Sequence, residues 1–243
     1  MPFTFSHPAL VLPLRFLPKG WVSLTGLVAG SLVPDFEKFI KMEPGNTYSH
    51  TWAGVFWFNL PLGLLLAFVF HGIVRDPLID NLPVFLRKRL ARFRKFNWQR
   101  FFREHFMVVI LSIIAGALSH LTWDSFTHRE GKFVRLLPVL SETVSPWNIH
   151  VSLYVLVDRL SSALGFLLIL YVILKLPPGR VEERQPVHVW HYWLSVVLVA
   201  LCVVMFRVIA DVSYVQYFEL LITSISAVLA GLVVSSCIVK FRT

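Results

Sequence analysis

The sequence predicts an all-α, polytopic membrane bundle: about five full spans, preceded by short or re-entrant N-terminal helices. Three observations lead there. Hydrophobic residues make up 56% of the 243 and charged residues only 15%, too few to clothe a water-soluble domain. Mean hydropathy is +0.67, and the apolar residues are gathered into runs of the length that a hydrocarbon layer of about 30 Å requires. The net charge of +9 is concentrated in one segment between two such runs, as orientation in a membrane and anionic lipid would dictate. One integral membrane domain over residues 1–243 is expected. Cys202 and Cys237 lie inside apolar runs and read as small buried hydrophobes, neither a disulfide nor a metal pair.

The N-terminal stretch MPFTFSHPALVLPL has prolines at 2, 8 and 13 and lacks a basic region followed by a cleavable apolar core, so no signal peptide is expected. His7 precedes Pro8, which disfavours a helical backbone there and favours a turn. Trp21 to Val33 is apolar and ends at Pro34-Asp35. As a helix it reaches only about 20 Å, short of a full crossing, which predicts a broken or re-entrant pair that returns Asp35 to the side of His7. Residues 1–50 thus comprise short helices and a polar loop, Asp35 to His50, that holds candidate ligands. Thr51 to Val74 is long enough to span, with a kink expected near Pro61 and Gly63.

Residues 75–104 carry Arg75, Arg87, Lys88, Arg89, Arg92, Arg94, Lys95, Arg100 and Arg103. Lys88, Arg92, Lys95, Gln99 and Arg103 share one helical face, with Leu86, Leu90, Phe93 and Phe101 roughly opposite, interrupted by Asn97. An amphipathic helix lying on anionic lipid is the expected form. A nucleic-acid arm is disfavoured, because a segment tethered between two spans is already held at the lipid surface. Phe106 to Leu121 forms the next span. A loop from Phe126 to Asn148, within a site region of 123–150, leads to Val151–Leu176, Val189–Ala210 and Tyr217–Val239. If Thr51 to Val74 runs from outside to inside, the basic segment, the Lys175 to Arg184 loop and the tail with Lys240 and Arg242 are all cytoplasmic. His50, Asp124, His128 and His150 then share the extracytoplasmic face.

The stretch SHLTWDSFTHREG, from Ser119 to Gly131, carries His120, Asp124 and His128 at intervals of four. Each step of four advances about 400° around a helix, so the three fall within an arc of roughly 80°. Imidazole and carboxylate on one face suit Zn²⁺. The plainer alternative is that Asp124 caps or pairs locally while the histidines pack at a wet interface. His71, His105, His188 and His191 fall toward the basic side and read as interfacial. Asp158 and Arg159 belong either to the floor of the site or to the bundle interior. Arg207 and Asp211, four apart, are expected to pair. Trp123 reads as an interfacial anchor, with Arg129 and Lys132 close enough in sequence to meet an anionic head group.

MPFTFSHPAL, the SLVPD ending at Asp35, SHT at 49–51 before the PLGLLL run, and SHLTWDSFTH at 119–128 resemble the bacterial membrane family called domain of unknown function 4184, over most of the chain and most strongly in its first 130 residues. That family in turn resembles membrane-bound metal-dependent hydrolases and, more distantly, zinc-dependent phospholipase C enzymes. The phospholipase ligand order is His, Asp, His, HxxxD, His, then a further His with an acid. His7, Asp35, His50, His120 with Asp124, and His128 match it. The end of the pattern departs: four residues after His150 stands Tyr154, and Asp158 lies eight on. The resemblance therefore implies one or two zinc ions, not a complete three-zinc cluster, and spacing alone also allows other divalent metals.

The expected function is a metal-dependent hydrolase acting on a lipid phosphoester or ester at the extracytoplasmic face of a bacterial inner (cytoplasmic) membrane. Membrane lipids are the expected partners, with anionic lipid at the basic segment and no nucleic acid. The alternative is a non-catalytic transporter or scaffold whose His/Asp cluster binds or senses a metal.

Overall fold

A computed structural model describes residues 3–18, 20–145, 150–179, 186–210 and 217–242. Among the described residues there are six long helices: α1 Leu24–Lys41, α2 Trp52–Asn81, α3 Phe106–Thr127, α4 Leu153–Lys175, α5 Pro186–Ala210 and α6 Tyr217–Arg242. The last five are long and apolar enough to cross a bilayer, and the protein is a multi-pass membrane protein. Their outward rows, such as Leu160, Leu164 and Leu167 on α4 and Leu194, Leu198 and Leu201 on α5, are exposed. In water such rows would be a liability, whereas a helix in lipid satisfies its own backbone and turns apolar side chains outward.

Contacts group the chain into two units. The first holds Met1–Asp35, Tyr48–Leu64 and His105–Val172. Its N-terminus is a string of one-turn helices, Thr4–Ser6, Pro8–Val11 and Leu12–Phe16, with Pro8 and Pro13 in first-turn positions where a missing N–H is harmless. His7 lies at the junction, as the turn expectation requires, but its backbone is helical (φ −55°, ψ −35°) because one short helix runs directly into the next.

The expected end at Pro34-Asp35 does not occur: α1 runs through Pro34 and Asp35 to Lys41. Proline removes only one backbone bond, and packing against α3 offsets the loss. A Cβ on Gly30 would lie 2.1 Å from the carbonyl oxygen of Ile113, one on Gly26 2.9 Å from that of Val109, and one on Gly116 2.4 Å from that of Leu27. Glycines four apart on α1 thus let two backbones touch, the small-residue crossing that membrane helices use in place of a hydrophobic drive. Ser112 Oγ adds a hydrogen bond from Ser23 N at 2.8 Å.

Thr51 caps α2, its Oγ1 accepting from Gly54 N. The irregularity expected at Pro61 and Gly63 takes the form of a π-helical segment, Val55–Asn59, just before them, and a second follows at Phe70–Val74. After α3, the expected loop contains helices Lys132–Leu136 and Pro138–Ser141, then an antiparallel pair of two-residue strands, Thr143–Val144 with Val151–Ser152.

The second unit holds Phe36–Thr47, Leu65–Glu104 and Ile173–Thr243. Here α5 and α6 lie side by side: a Cβ on Gly231 would sit 2.7 Å from the Val196 carbonyl oxygen, and the Tyr192 and Ser236 hydroxyls are 3.1 Å apart. The basic segment is not one amphipathic helix. It is three pieces, Val84–Leu90, the 3₁₀ turn Ala91–Lys95 and Trp98–Glu104, broken at Phe96–Asn97, and α2 itself extends to Asn81. The break follows from Arg75, described below, which fastens the backbone of Arg94 and Phe96. Arg207 contacts Glu43 at 3.1 Å, and Asp211, its expected partner, lies outside the described residues.

Candidate metal centre

The interior of one helix and the ends of two others deliver the site, with every candidate ligand residue in the first unit. The α1–α3 crossing sets Asp35, eleven residues into α1, beside His120 and Asp124 near the end of α3. The turn ahead of α2 adds His50. One ligand atom from each of Asp35, His50, His120 and Asp124 lies within 4.8 Å of all the others. His50 Nε2 lies 3.1 Å from Asp124 Oδ2 and 4.0 Å from Asp35 Oδ1, and His120 Nε2 lies 3.4 Å from Asp124 Oδ2 and 3.7 Å from Asp35 Oδ1. Ligands held at about 2.0–2.1 Å around a tetrahedral zinc stand about 3.3 Å apart, so these spacings bracket the edge such an ion requires.

The hydrogen bonds decide what the atoms can do. His120 is fully buried, and its Nδ1 lies 2.8 Å from the Ser31 carbonyl oxygen. A carbonyl only accepts, so Nδ1 carries the hydrogen, and in a neutral ring Nε2 turns a lone pair toward two carboxylate oxygens. That Nε2 has no hydrogen-bond partner among the described residues, nor has the buried Asp124 Oδ1. A lone pair facing carboxylates is repulsive unless a positive centre stands between them, either a proton on Nε2 or a metal ion. Outer partners orient the other groups. The Thr4 hydroxyl donates to Asp35 Oδ2, leaving Oδ1 toward the histidines, and Ser49 Oγ lies 3.1 Å from His50 Nδ1. Ser49 is in turn held through its carbonyl, which accepts from Asn59 Nδ2 at 2.8 Å. Asn59 is fully buried at the end of the first π-helical segment.

The other expected residues stand around these four. His7 is buried, its ring stacked on that of His120 at 3.8 Å, with Nε2 3.6 Å from Asp124 Oδ1, on the far oxygen of that carboxylate. His128 does not share the helical face of His120 and Asp124. α3 ends at Thr127, and the backbone of His128 is extended (φ −115°, ψ 142°). Its Nδ1 lies 3.8 Å from Oδ2 and 3.0 Å from the Asp124 carbonyl oxygen, which also accepts the His128 backbone N–H, so ring and backbone of His128 share one carbonyl at the helix end. His150 stays away from the cluster, exposed and 2.7 Å from Ser145 Oγ. Asp158 is buried on α4 within electrostatic reach of His128 and Asp124, whereas Arg159 faces outward. Trp123 donates to Ser161 Oγ at 3.3 Å, and Arg129 and Lys132 are exposed. The His50 side chain is 24% exposed and that of His128 35%, against 0% for His120, so the cluster opens on the His50–His128 edge.

Thr4, Ser31, Ser49 and Asn59 were not among the residues expected from sequence. Asn59 was the findable one, a lone amide in an apolar span, which membrane energetics marks as functional or paired. The Ser31 contribution is a backbone carbonyl and leaves no trace in residue type.

The chain matches the family model for a domain of unknown function (DUF4184) over residues 1–237 and belongs to that family. No curated protein and no solved structure matches it.

Proposed function

We propose that this DUF4184 member is a membrane metalloprotein whose Asp35, His50, His120 and Asp124 hold one divalent ion, zinc by preference, and that it hydrolyses a phosphoester or ester of a membrane lipid. The observation that carries the reading is the buried His120 Nε2, its tautomer set by Ser31 and its lone pair aimed between two carboxylates. Two imidazoles and two carboxylates suit Zn²⁺, and Mn²⁺ or Fe²⁺ as well. Such an ion supplies a Lewis acid for a phosphoryl or carbonyl oxygen and acidifies water. The chain's own groups do the rest: Thr4, Ser31 and Ser49 orient the ligands, and His7 and the second oxygen of Asp124 provide the start of a second-ion position. The opening between His50 and His128 admits a head group from the membrane surface. The charge bias of residues 75–104 and of the C-terminal tail supports a cytoplasmic location for them and an extracytoplasmic site, in a bacterial inner membrane.

Elemental analysis of detergent-purified protein tests the reading, with wild type beside His120→Ala and Asp124→Ala. About one equivalent of metal is expected in wild type, lost in both variants, with metal-dependent release of product from a panel of phospholipids. Absence of metal, even after incubation with Zn²⁺, Mn²⁺ or Fe²⁺, would overturn the site. Stoichiometric metal without hydrolysis would leave a non-catalytic metal-binding protein and remove the enzyme.

A further inference from the structure

The second unit contains a cavity of about 390 Å³ that the metal-site reading does not use. Its floor is built around Arg75, which is 7% exposed. Every nitrogen of that guanidinium is engaged: Nε and Nη2 with the Asp76 carboxylate at 2.6 and 3.2 Å, Nη1 with the Phe96 carbonyl at 2.6 Å and His71 Nδ1 at 3.1 Å, and Nη2 with the Arg94 carbonyl at 3.2 Å. Arginine only donates, so His71 Nδ1 accepts and its Nε2 carries the ring's hydrogen. The imidazole lies flat on Trp98, 4.9 Å away at 9°.

Around this rigid floor stand Lys95, Gln99 and Lys240. Arg75 is neutralised by Asp76 and Arg94 by Asp80 at 2.8 Å, and Lys95 and Lys240 bring two further ammonium groups to the lining. Lys95 is exposed and has no ion pair among the described residues. Lys240, at the end of α6, reaches the Gly72 carbonyl oxygen on α2. A cavity with two ammonium groups, an amide and an N–H imidazole on its lining is complementary to a phosphate. Its position favours a lipid source. His71 lies two-thirds of the way along α2, about 20 residues or 30 Å from its start, and Lys240 at the end of the α6 span, at the level of head groups, and the exposed rings of Phe70, Phe93 and Phe241 belong to the same segments.

We propose that this cavity binds the phosphate of an anionic glycerophospholipid, with Lys95 and Lys240 as the charged contacts. The proposal is independent of the metal site.

Native mass spectrometry of the full chain in detergent tests it, with dioleoyl phosphatidic acid, dioleoyl glycerol and glycerol 3-phosphate as probes. Wild type is expected to retain one phosphatidic acid and no dioleoyl glycerol. Lys95→Glu with Lys240→Glu should weaken retention at least about tenfold, since each basic group near an anionic surface contributes about fivefold. Arg92→Glu with Arg103→Glu makes the same charge change on exposed residues outside the cavity and should weaken it no more than about twofold. Lys95→Glu alone preserves this ordering should Lys240→Glu disturb the end of α6. Equal losses in the two double variants, or none in either, would overturn the cavity. Binding of glycerol 3-phosphate without lipid would overturn the lipid source.

Discussion

Two buried polar clusters in this protein are built on opposite terms. Around Arg75 every donor has an acceptor, so the cluster is complete with the atoms of the chain alone. Around His120 the account does not close: an imidazole nitrogen and a carboxylate oxygen are buried without hydrogen bonds, the first beside the Asp35 and Asp124 carboxylates and the second 3.6 Å from His7 Nε2. Burial of an unsatisfied polar atom costs about 1–3 kcal/mol, more if charged, and evolution retains it where something else completes the set. The comparison separates a structural knot from a site. The Arg75 knot fastens Arg94 and Phe96 and gives the basic segment its broken shape, whereas the His/Asp cluster gathers a set of atoms that could hold a metal ion.

The largest effect is expected where the incomplete cluster depends on the helix crossing beneath it. Gly30→Val sets a branched side chain where even a Cβ would lie 2.1 Å from the Ile113 carbonyl oxygen. Backbone cannot yield as a side chain does, so a loss above about 4 kcal/mol is expected. Size-exclusion chromatography should then show little monodisperse protein, and a normal profile with full metal content would refute the crossing as the support of the site.

Metal removal comes next. An ion bound a thousandfold below its working concentration stabilises by about 4 kcal/mol, so a chelator should lower the melting temperature of wild type in detergent. The same chelator should leave His120→Ala unmoved. If wild type is also unmoved, the two clusters do not differ in the way argued.

Arg75→Ala is the counterpart. With two backbone carbonyls and a carboxylate left without their donor, a loss of about 2–3 kcal/mol is expected at unchanged metal content. A fall in bound metal would erase the distinction between knot and site.

The smallest effect is assigned to Thr4→Val, which keeps the shape of the side chain and removes the donor to Asp35. Loss of an outer partner typically weakens metal affinity about 10–100-fold, readable by competition with a chromogenic chelator. Unchanged affinity would show that Asp35 is oriented by the α1–α3 crossing alone.

Much of the site was legible because membrane energetics makes polar residues conspicuous. His50, His120 and Asp124 stood at the ends of apolar runs, and charge placement led to the same face for them. The spacing argument for His128 failed for a local reason: the periodicity of four assumes that the helix continues, and α3 stops at Thr127, where ring and backbone of His128 share one carbonyl. The loop reading of Asp35 failed for a non-local one. Proline argues for a stop, but the glycines at 26 and 30 are the stronger signal, since they allow the close contact with α3, and α1 runs on through Pro34.

Hydropathy and charge act through local composition, and they alone set the class of this protein, its apolar spans and the residue types at their ends. Tertiary structure alone decided that Asp35 meets His120, that Ser31 sets the tautomer of that histidine, and that Asn59 and Thr4 brace the ligands. Those contacts join positions far apart in the chain, 89 residues for Ser31 and His120, where the acceptor is a backbone carbonyl common to every residue. Residue identity therefore does not record them, and only the close approach of two helices at Gly30 and Gly116 brings them about.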